Sequence, residues 1–153
     1  MIGSAGFGGN VVTPYVQEVQ KLVEKAGERV KFTGYIENQK LYRYYQSADI
    51  QVIPSLWEEA AGLIAIEGML SGLPLIITKS GGMIEYAPSN VAVWIDRDNI
   101  IPNLEAAIIQ LADDKEKRKE MSELSLEQAK EFPKKKFYED YIEVFEHEGT
   151  RKR

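Results

Sequence analysis

Along the chain the apolar positions change their period several times. In VVTPYVQEVQKLVEKAG (11–27) the apolar residues Tyr15, Val16, Val19, Leu22 and Val23 recur at helical spacing, which predicts a helix with one apolar stripe. RVKFTG (29–34) is rich in strand-forming residues and stops at a glycine, which predicts a strand. NQKLYRYYQSAD (38–49) reads as a short helix and IQVIP (50–54) as a strand ended by proline. GLIAIEGMLSG (62–72) reads as a helix that stops at Ser71–Gly72, with Pro74 beyond it. LPLIIT (73–78) is a nearly continuous apolar run, the pattern of a strand buried on both faces. VAVWI (91–95) reads as a last short strand, and from about 103 the chain turns helical through NLEAAIIQLADD, KEKRKEMSELSLEQAKEF and KKKFYEDYIEVFEHE.

Strand–helix–strand alternation predicts an α/β domain, a Rossmann-like parallel sheet flanked by helices on both faces. Its crossovers are expected to be right-handed, and a ligand is expected outside the carboxyl ends of the strands. No internal repeat or low-complexity segment interrupts the pattern, and GTRKR at the end reads as a frayed tail. The opening MIG is too short for a buried strand, yet GSAGFGGN after it reads as a loop leaving one. The expectation is that the chain begins inside a larger domain whose first strand–helix unit lies upstream. A natural start with a glycine-rich arm is the alternative.

Composition adds limits. The chain has 153 residues, 44% hydrophobic and 28% charged, which suits one soluble domain over 1–153 with one sizeable core. A net charge of −5 argues against a nucleic-acid partner, although a phosphate site can still be built from backbone N–H groups. With no cysteine, disulfides and thiolate metal sites are excluded. No apolar run approaches the ~20 residues of a membrane span, and the start lacks the regions of a signal peptide, so a cytoplasmic location is expected.

The candidate chemistry lies in PSLWEEAAGLIAIEGMLSGLP, where Glu59 and Glu67 stand eight positions apart. Pro54 ends a strand, the loop Ser55–Ala61 follows at its carboxyl end, and Gly62 opens a helix. A helix opening leaves N–H groups without intrahelical partners and carries partial positive charge, so a diphosphate would find donors there without a lysine. Gly62 would let a ligand approach the backbone closely. Glu59 lies before the helix and Glu67 more than one turn inside it, so the two could reach opposite ends of one extended ligand. Carboxylates only accept, which suits hydroxyl-rich partners such as ribose and hexose. The opposing reading is a buried helix whose glutamates are solvated or paired with lysine. Against it, Glu67 interrupts the apolar stretch LIAIEGML, where a charge needs a partner. A second glycine-rich loop, Ser80–Gly82 followed by Glu85, closes the next strand at the same end.

At these residues the chain resembles the retaining glycosyltransferases of family 4, which have the GT-B fold. SLWEEAAGLIAIEGMLSGLPLI is similar to their E-x7-E region. VKFTGYI, LYRYYQSADIQVIPS and SGGMIEYAP resemble, in order and spacing, the segment under the nucleotide base, the helix and strand before the motif, and the GG-x-x-E loop after it. The resemblance covers about residues 1 to 115. It implies that this is the carboxyl-terminal, donor-binding half of a GT-B fold, in which Glu67 holds ribose hydroxyls and Glu59 holds hydroxyls of the transferred sugar. It further implies that Ala60, Ala61, Gly62, Leu63 and Ile64 contact the sugar and phosphates, that Tyr35 and Ile36 line the base pocket, and that Gly3 and Ser4 sit near the cleft edge. The activity implied is hexosyl transfer from a nucleoside-diphosphate sugar, a UDP-sugar first, with retention at the anomeric carbon. The acceptor would be a glycan or lipid-linked glycan in bacterial surface polysaccharide assembly, reached through an amino-terminal domain lying upstream. No cofactor and no metal are implied, and the full-length enzyme could associate peripherally with the inner face of the membrane.

Two departures stand out. Ala61 replaces the family's aromatic before the glycine, and the arginine and lysine that neutralise the diphosphate would lie upstream of MIG. These residues alone are therefore expected to be inactive. Other classes remain open: a nucleotide-sugar epimerase of the same fold, which would need further acid/base residues, and a non-catalytic α/β nucleotide-binding module. Leu41, Tyr44 and Tyr45 have the spacing of packing residues. Trp57 could shield the site or pack. His147 stands alone and is not expected to be catalytic. KEKRKE and KKK read as solvated helix faces.

Overall fold

The computed structural model of the chain describes residues 2, 11–58 and 62–133. They fall into two compact units, Met1–Tyr44 and Tyr45–Arg153, each with its own local logic.

In the first unit Pro14 opens α1 (Pro14–Ala26), where its missing N–H costs nothing. Thr13 caps the helix by accepting the Val16 N–H at 3.3 Å. Val16 is the one buried residue of α1. Gly27, at φ 65°, leads into a short 3₁₀ turn at Gly27–Arg29. The predicted strand over 29–34 does not form. Val30 is extended, with φ −128° and ψ 128°, but residues 30–37 carry no regular element. Strand-forming side chains do not make a strand without a ladder partner, and none of the ladders among the described residues includes this segment. Val11, Val12, Val16, Gln20, Phe32 and Thr33 surround a cleft of about 320 Å³ in this unit. Helix α2 (Asn38–Gln46) runs to the start of the second unit.

The second unit is a parallel sheet in the order β1 (Gln51–Ile53), β2 (Leu75–Thr78), β3 (Ala92–Ile95). Val52 stands opposite Ile76, and Ile76 opposite Val93. All four residues of β2 are buried, as the run LPLIIT predicts. Successive side chains of a strand face opposite sides, and β2 divides accordingly. Leu75 and Ile77 join one core with Ala65 and Met69 of α3 (Leu63–Leu70), Met83 and Val91. Ile76 joins a second core with Ile95, Ala107 and Leu111 of α5 (Ile100–Asp113), and Met121 of α6 (Lys115–Gln128). α6 also sends Leu124 to the first core. A four-residue helix, α4 (Met83–Tyr86), follows the loop after β2 and adds an element that the sequence pattern did not predict.

Small residues and hydroxyls set the close contacts. Gly68 lets α3 lie on β1, since a Cβ there would come 1.7 Å from Gln51 Oε1. The Gln51 Nε2 donates to the Ile64 carbonyl at 3.1 Å. Ser125, fully buried on α6, donates to the Leu73 carbonyl at 3.0 Å and so ties α6 to the α3–β2 connection. α5 and α6 meet at Asp114, which caps α6 by accepting the Lys117 N–H at 2.8 Å. Arg118 then donates to the Leu111 and Ala112 carbonyls at the end of α5. The third predicted terminal helix, KKKFYEDYIEVFEHE, lies outside the described residues. Among those described, no helix is long and apolar enough to cross a membrane.

Burial ranks the expected costs of truncation. Ile76→Ala should lower the unfolding free energy by about 2–5 kcal/mol, as for a fully buried core side chain. Val52→Ala on β1, at the edge of the sheet formed by the described residues, where the residue is 37% exposed, should cost under about 1 kcal/mol. Urea unfolding followed by far-ultraviolet circular dichroism measures both.

Candidate functional site

The loop between β1 and α3 leaves the carboxyl end of β1, and four successive residues of it are fastened to the ends of the neighbouring strands. Thr78 donates to the Ser55 carbonyl at 2.6 Å. The Ser80 hydroxyl donates to the Trp57 carbonyl. Arg97, just after β3, reaches the Leu56 carbonyl at 3.5 Å and forms an ion pair with Glu58 at 2.5 Å. The Gly81 N–H donates to the other Glu58 oxygen at 2.7 Å. The Arg97 contact and the Gly81 N–H hold the Glu58 carboxyl below its usual range. Thr78 and Ser80 are themselves buried, so their hydroxyls need acceptors, and the loop carbonyls meet that need. Lys79 and Asp96, at the ends of β2 and β3, pair at 2.9 Å.

After the loop, Gly62 caps α3 in the left-handed conformation, φ 54° and ψ 35°, with no side-chain cap. The Ala65 N–H closes onto the Gly62 carbonyl at 2.8 Å, so the Leu63 and Ile64 N–H groups precede the helical ladder. Gly62 is buried against Met83, and a Cβ at this position would lie 2.3 Å from Met83 Cγ. Both conformation and space therefore call for glycine.

Glu67 interrupts the apolar stretch LIAIEGML from its exposed side. α3 turns Ala65, Gly68 and Met69 inward, while Leu63, Ile64, Glu67 and Leu70 face outward. The exposed leucines and isoleucine made that outer face look like core. Glu67 still has a partner: the Tyr45 hydroxyl donates to its Oε2 at 2.8 Å. Tyr45 is half-buried at the end of α2, and its ring packs against the first core. Burial, the hydrogen bond to Glu67 and the Glu67 charge all push the Tyr45 hydroxyl well above the usual tyrosine range.

The second unit thus brings Gly62, Leu63, Ile64 and Glu67 together on one short helix at the carboxyl end of the sheet. Glu59, Ala60 and Ala61 lie outside the described residues, as do Gly3, Ser4 and His147. Tyr35, exposed, and Ile36, half-buried, belong to the irregular segment of the first unit, whose cleft is lined as far as Gly34. Glu85 is exposed on α4. Trp57 is 79% exposed and does not pack. Three participants escaped the sequence reading. Glu58 is hidden by its neighbour Glu59, Arg97 lies 39 residues from its partner, and Tyr45 was assigned to packing alone.

Two outcomes test this geometry. Gly62→Ala should lower stability by about 1–3 kcal/mol, through left-handed strain and the displaced Met83, read in the same urea experiment. Because the Tyr45 pKa is raised in the folded chain, its contribution is complete below the ordinary value of 10.0 and is lost as pH rises beyond it. Thermal stability should therefore fall above that pH, and Tyr45→Phe should flatten the dependence.

Comparison with known proteins shows the family of the chain. Spore coat protein SA of Bacillus subtilis (strain 168) is 29% identical over 147 residues, which are 95% of this chain and 39% of that protein. A D-inositol 3-phosphate glycosyltransferase of Corynebacterium diphtheriae is 29% identical over 133 residues, 86% of this chain and 30% of that protein. The chain therefore spans well under half the length of these relatives. The crystal structure of Anabaena HepE in complex with UDP and glucose superposes with a TM-score of 0.81 at 22% identity, over 95% of this chain and 39% of that one. At that identity the likeness is one of fold. Residues 5–128 match the family model of the glycosyl transferases group 1, and with most of its length so matched the chain belongs to that family.

Proposed function

We infer that this chain is the nucleotide-sugar-binding domain of a retaining glycosyltransferase of family 4, with a UDP-sugar as donor. The observation that carries the reading is the pairing, on one eight-residue helix, of an uncapped glycine opening with an outward carboxylate. The opening offers N–H donors and partial positive charge to a diphosphate. One turn further on, Glu67 offers an acceptor to ribose hydroxyls. Membership of the group 1 family and the UDP and glucose named for the HepE structure support the same assignment.

In this reading Glu59 accepts hydroxyls of the transferred sugar. Residues Ala60 to Ile64 line the sugar and phosphates with backbone, and Tyr35 and Ile36 border the base. Departure of the diphosphate leaves negative charge on its oxygens, and a fixed helix opening stabilises that charge without reorganising. Glu59 and Glu67 bind hydroxyls and are not an acid/base pair of the glycosidase kind. The acceptor, a glycan or lipid-linked glycan of surface polysaccharide assembly, would be held by parts of the enzyme outside these residues. Peripheral association of the whole enzyme with the inner membrane face belongs to the same proposal.

Titration with UDP, GDP and ADP, followed by amide chemical shifts, tests the reading. UDP should shift Tyr35–Ile36 and Gly62–Glu67 selectively. Glu67→Ala should weaken UDP binding by roughly tenfold, as expected for hydrogen bonds to a charged group. Unfolding free energy should change by less than about 1 kcal/mol because the side chain is exposed. Shifts with no nucleotide, or unfolding of the variant, would overturn the assignment.

A further inference from the structure

Glu67 reaches solvent from the outer face of α3, and among the described residues it forms no ion pair with lysine or arginine. An exposed glutamate ordinarily samples several rotamers, and fixing one on binding costs free energy. Here a neutral donor fixes it in advance. Tyr45 packs against the first core, and its hydroxyl meets Oε2 at 2.8 Å. The backbone beneath is fixed too, since the Ser71 hydroxyl donates to the Glu67 carbonyl at 2.9 Å.

A tyrosine does this differently from a lysine. It orients the carboxylate without neutralising it, so the acceptor strength of the other oxygen is kept. It takes up only one of the carboxylate's roughly four acceptor sites, so capacity remains for the hydroxyls of a vicinal diol. We propose that Tyr45 is a positioning residue for Glu67, and that the pair makes the α3 site selective for nucleotides carrying ribose hydroxyls. The proposal rests on the donor reading above and adds to it the sugar-recognition device and a residue outside the E-x7-E motif. Tyr45 does not touch the reacting atoms. It acts through Glu67.

The test is calorimetric titration of the 153-residue chain, wild type and Tyr45→Phe, with UDP and with 2′,3′-dideoxy-UDP. Wild type should prefer UDP. Tyr45→Phe keeps the ring and removes only the hydroxyl, so it should weaken UDP by roughly threefold to tenfold and leave dideoxy-UDP unchanged. Equal weakening of both ligands would mean a structural role only, and no weakening of either would mean no role, so each overturns the proposal. Wild type binding both ligands equally would remove Glu67 from ribose recognition. Wild type binding neither would overturn the donor reading itself, and the proposal with it. Without any ligand, Glu67→Gln should bring the Tyr45 hydroxyl down towards its ordinary range, measured by tyrosinate absorbance as the difference from matching chains that carry Tyr45→Phe. An unchanged titration would show that the two side chains do not meet, and would overturn the proposal.

Discussion

The double burial of β2 is the constraint on which the rest of the second unit depends. A strand with no solvent face needs helices on both sides, and it gets them from α3 on one and α5 on the other, with α6 serving both. The same burial reaches the last residues of the strand and its loop. Thr78 and Ser80 are hydroxyl residues with almost no exposure, and an unmade hydrogen bond there would cost about 1–3 kcal/mol. They donate to the Ser55 and Trp57 carbonyls. Core packing is thereby converted into the geometry of a surface loop, and that loop leads into α3.

Two acids close in sequence then take different work because their partners differ. Glu58 meets a guanidinium and a backbone N–H. Both hold it ionised and spend its acceptor capacity on the loop, so it acts as a brace. Being exposed, the pair contributes little to global stability, and its effect is local order. Glu67 meets a phenol instead. A neutral donor directs a carboxylate without cancelling its charge, and acceptor capacity is left for something else. On the donor reading, the chemistry of the partner separates the structural acid from the binding acid, although both are exposed glutamates.

Much of this architecture was legible before any coordinates. The run LPLIIT announced a strand without a solvent face, and the glycines at 62 and 72 bracketed α3 within a residue or two. Three features were not legible, each for a physical reason. RVKFTG has the side chains of a strand, but a strand is a property of pairing, and composition cannot supply a partner. The outer face of α3 is apolar, so hydrophobic periodicity could not tell its inner side from its outer one, and the exposure of Glu67 was not legible. The contacts of Glu58 with Arg97 and of Tyr45 with Glu67 span 39 and 22 residues. No local spacing rule reaches that far. The glutamate at 67 could be picked out as a candidate, but its partner could not.

The spacing within α3 gives the last step. From Gly62 to Glu67 is five residues, a rise of about 7.5 Å along the helix axis. On the donor reading this is the scale of one furanose ring with its phosphate ester, so a phosphate at the opening would leave the ribose alongside Glu67. Gly68 follows directly, and its missing side chain lets the helix settle onto β1 and Gln51. Met69 anchors the next position in the first core. Glu67 is thus held outward by the burial of the two residues after it. The rotation of α3 that turns the carboxylate outward is set by the contact that packs the helix on the sheet, and a change that turned one would turn the other.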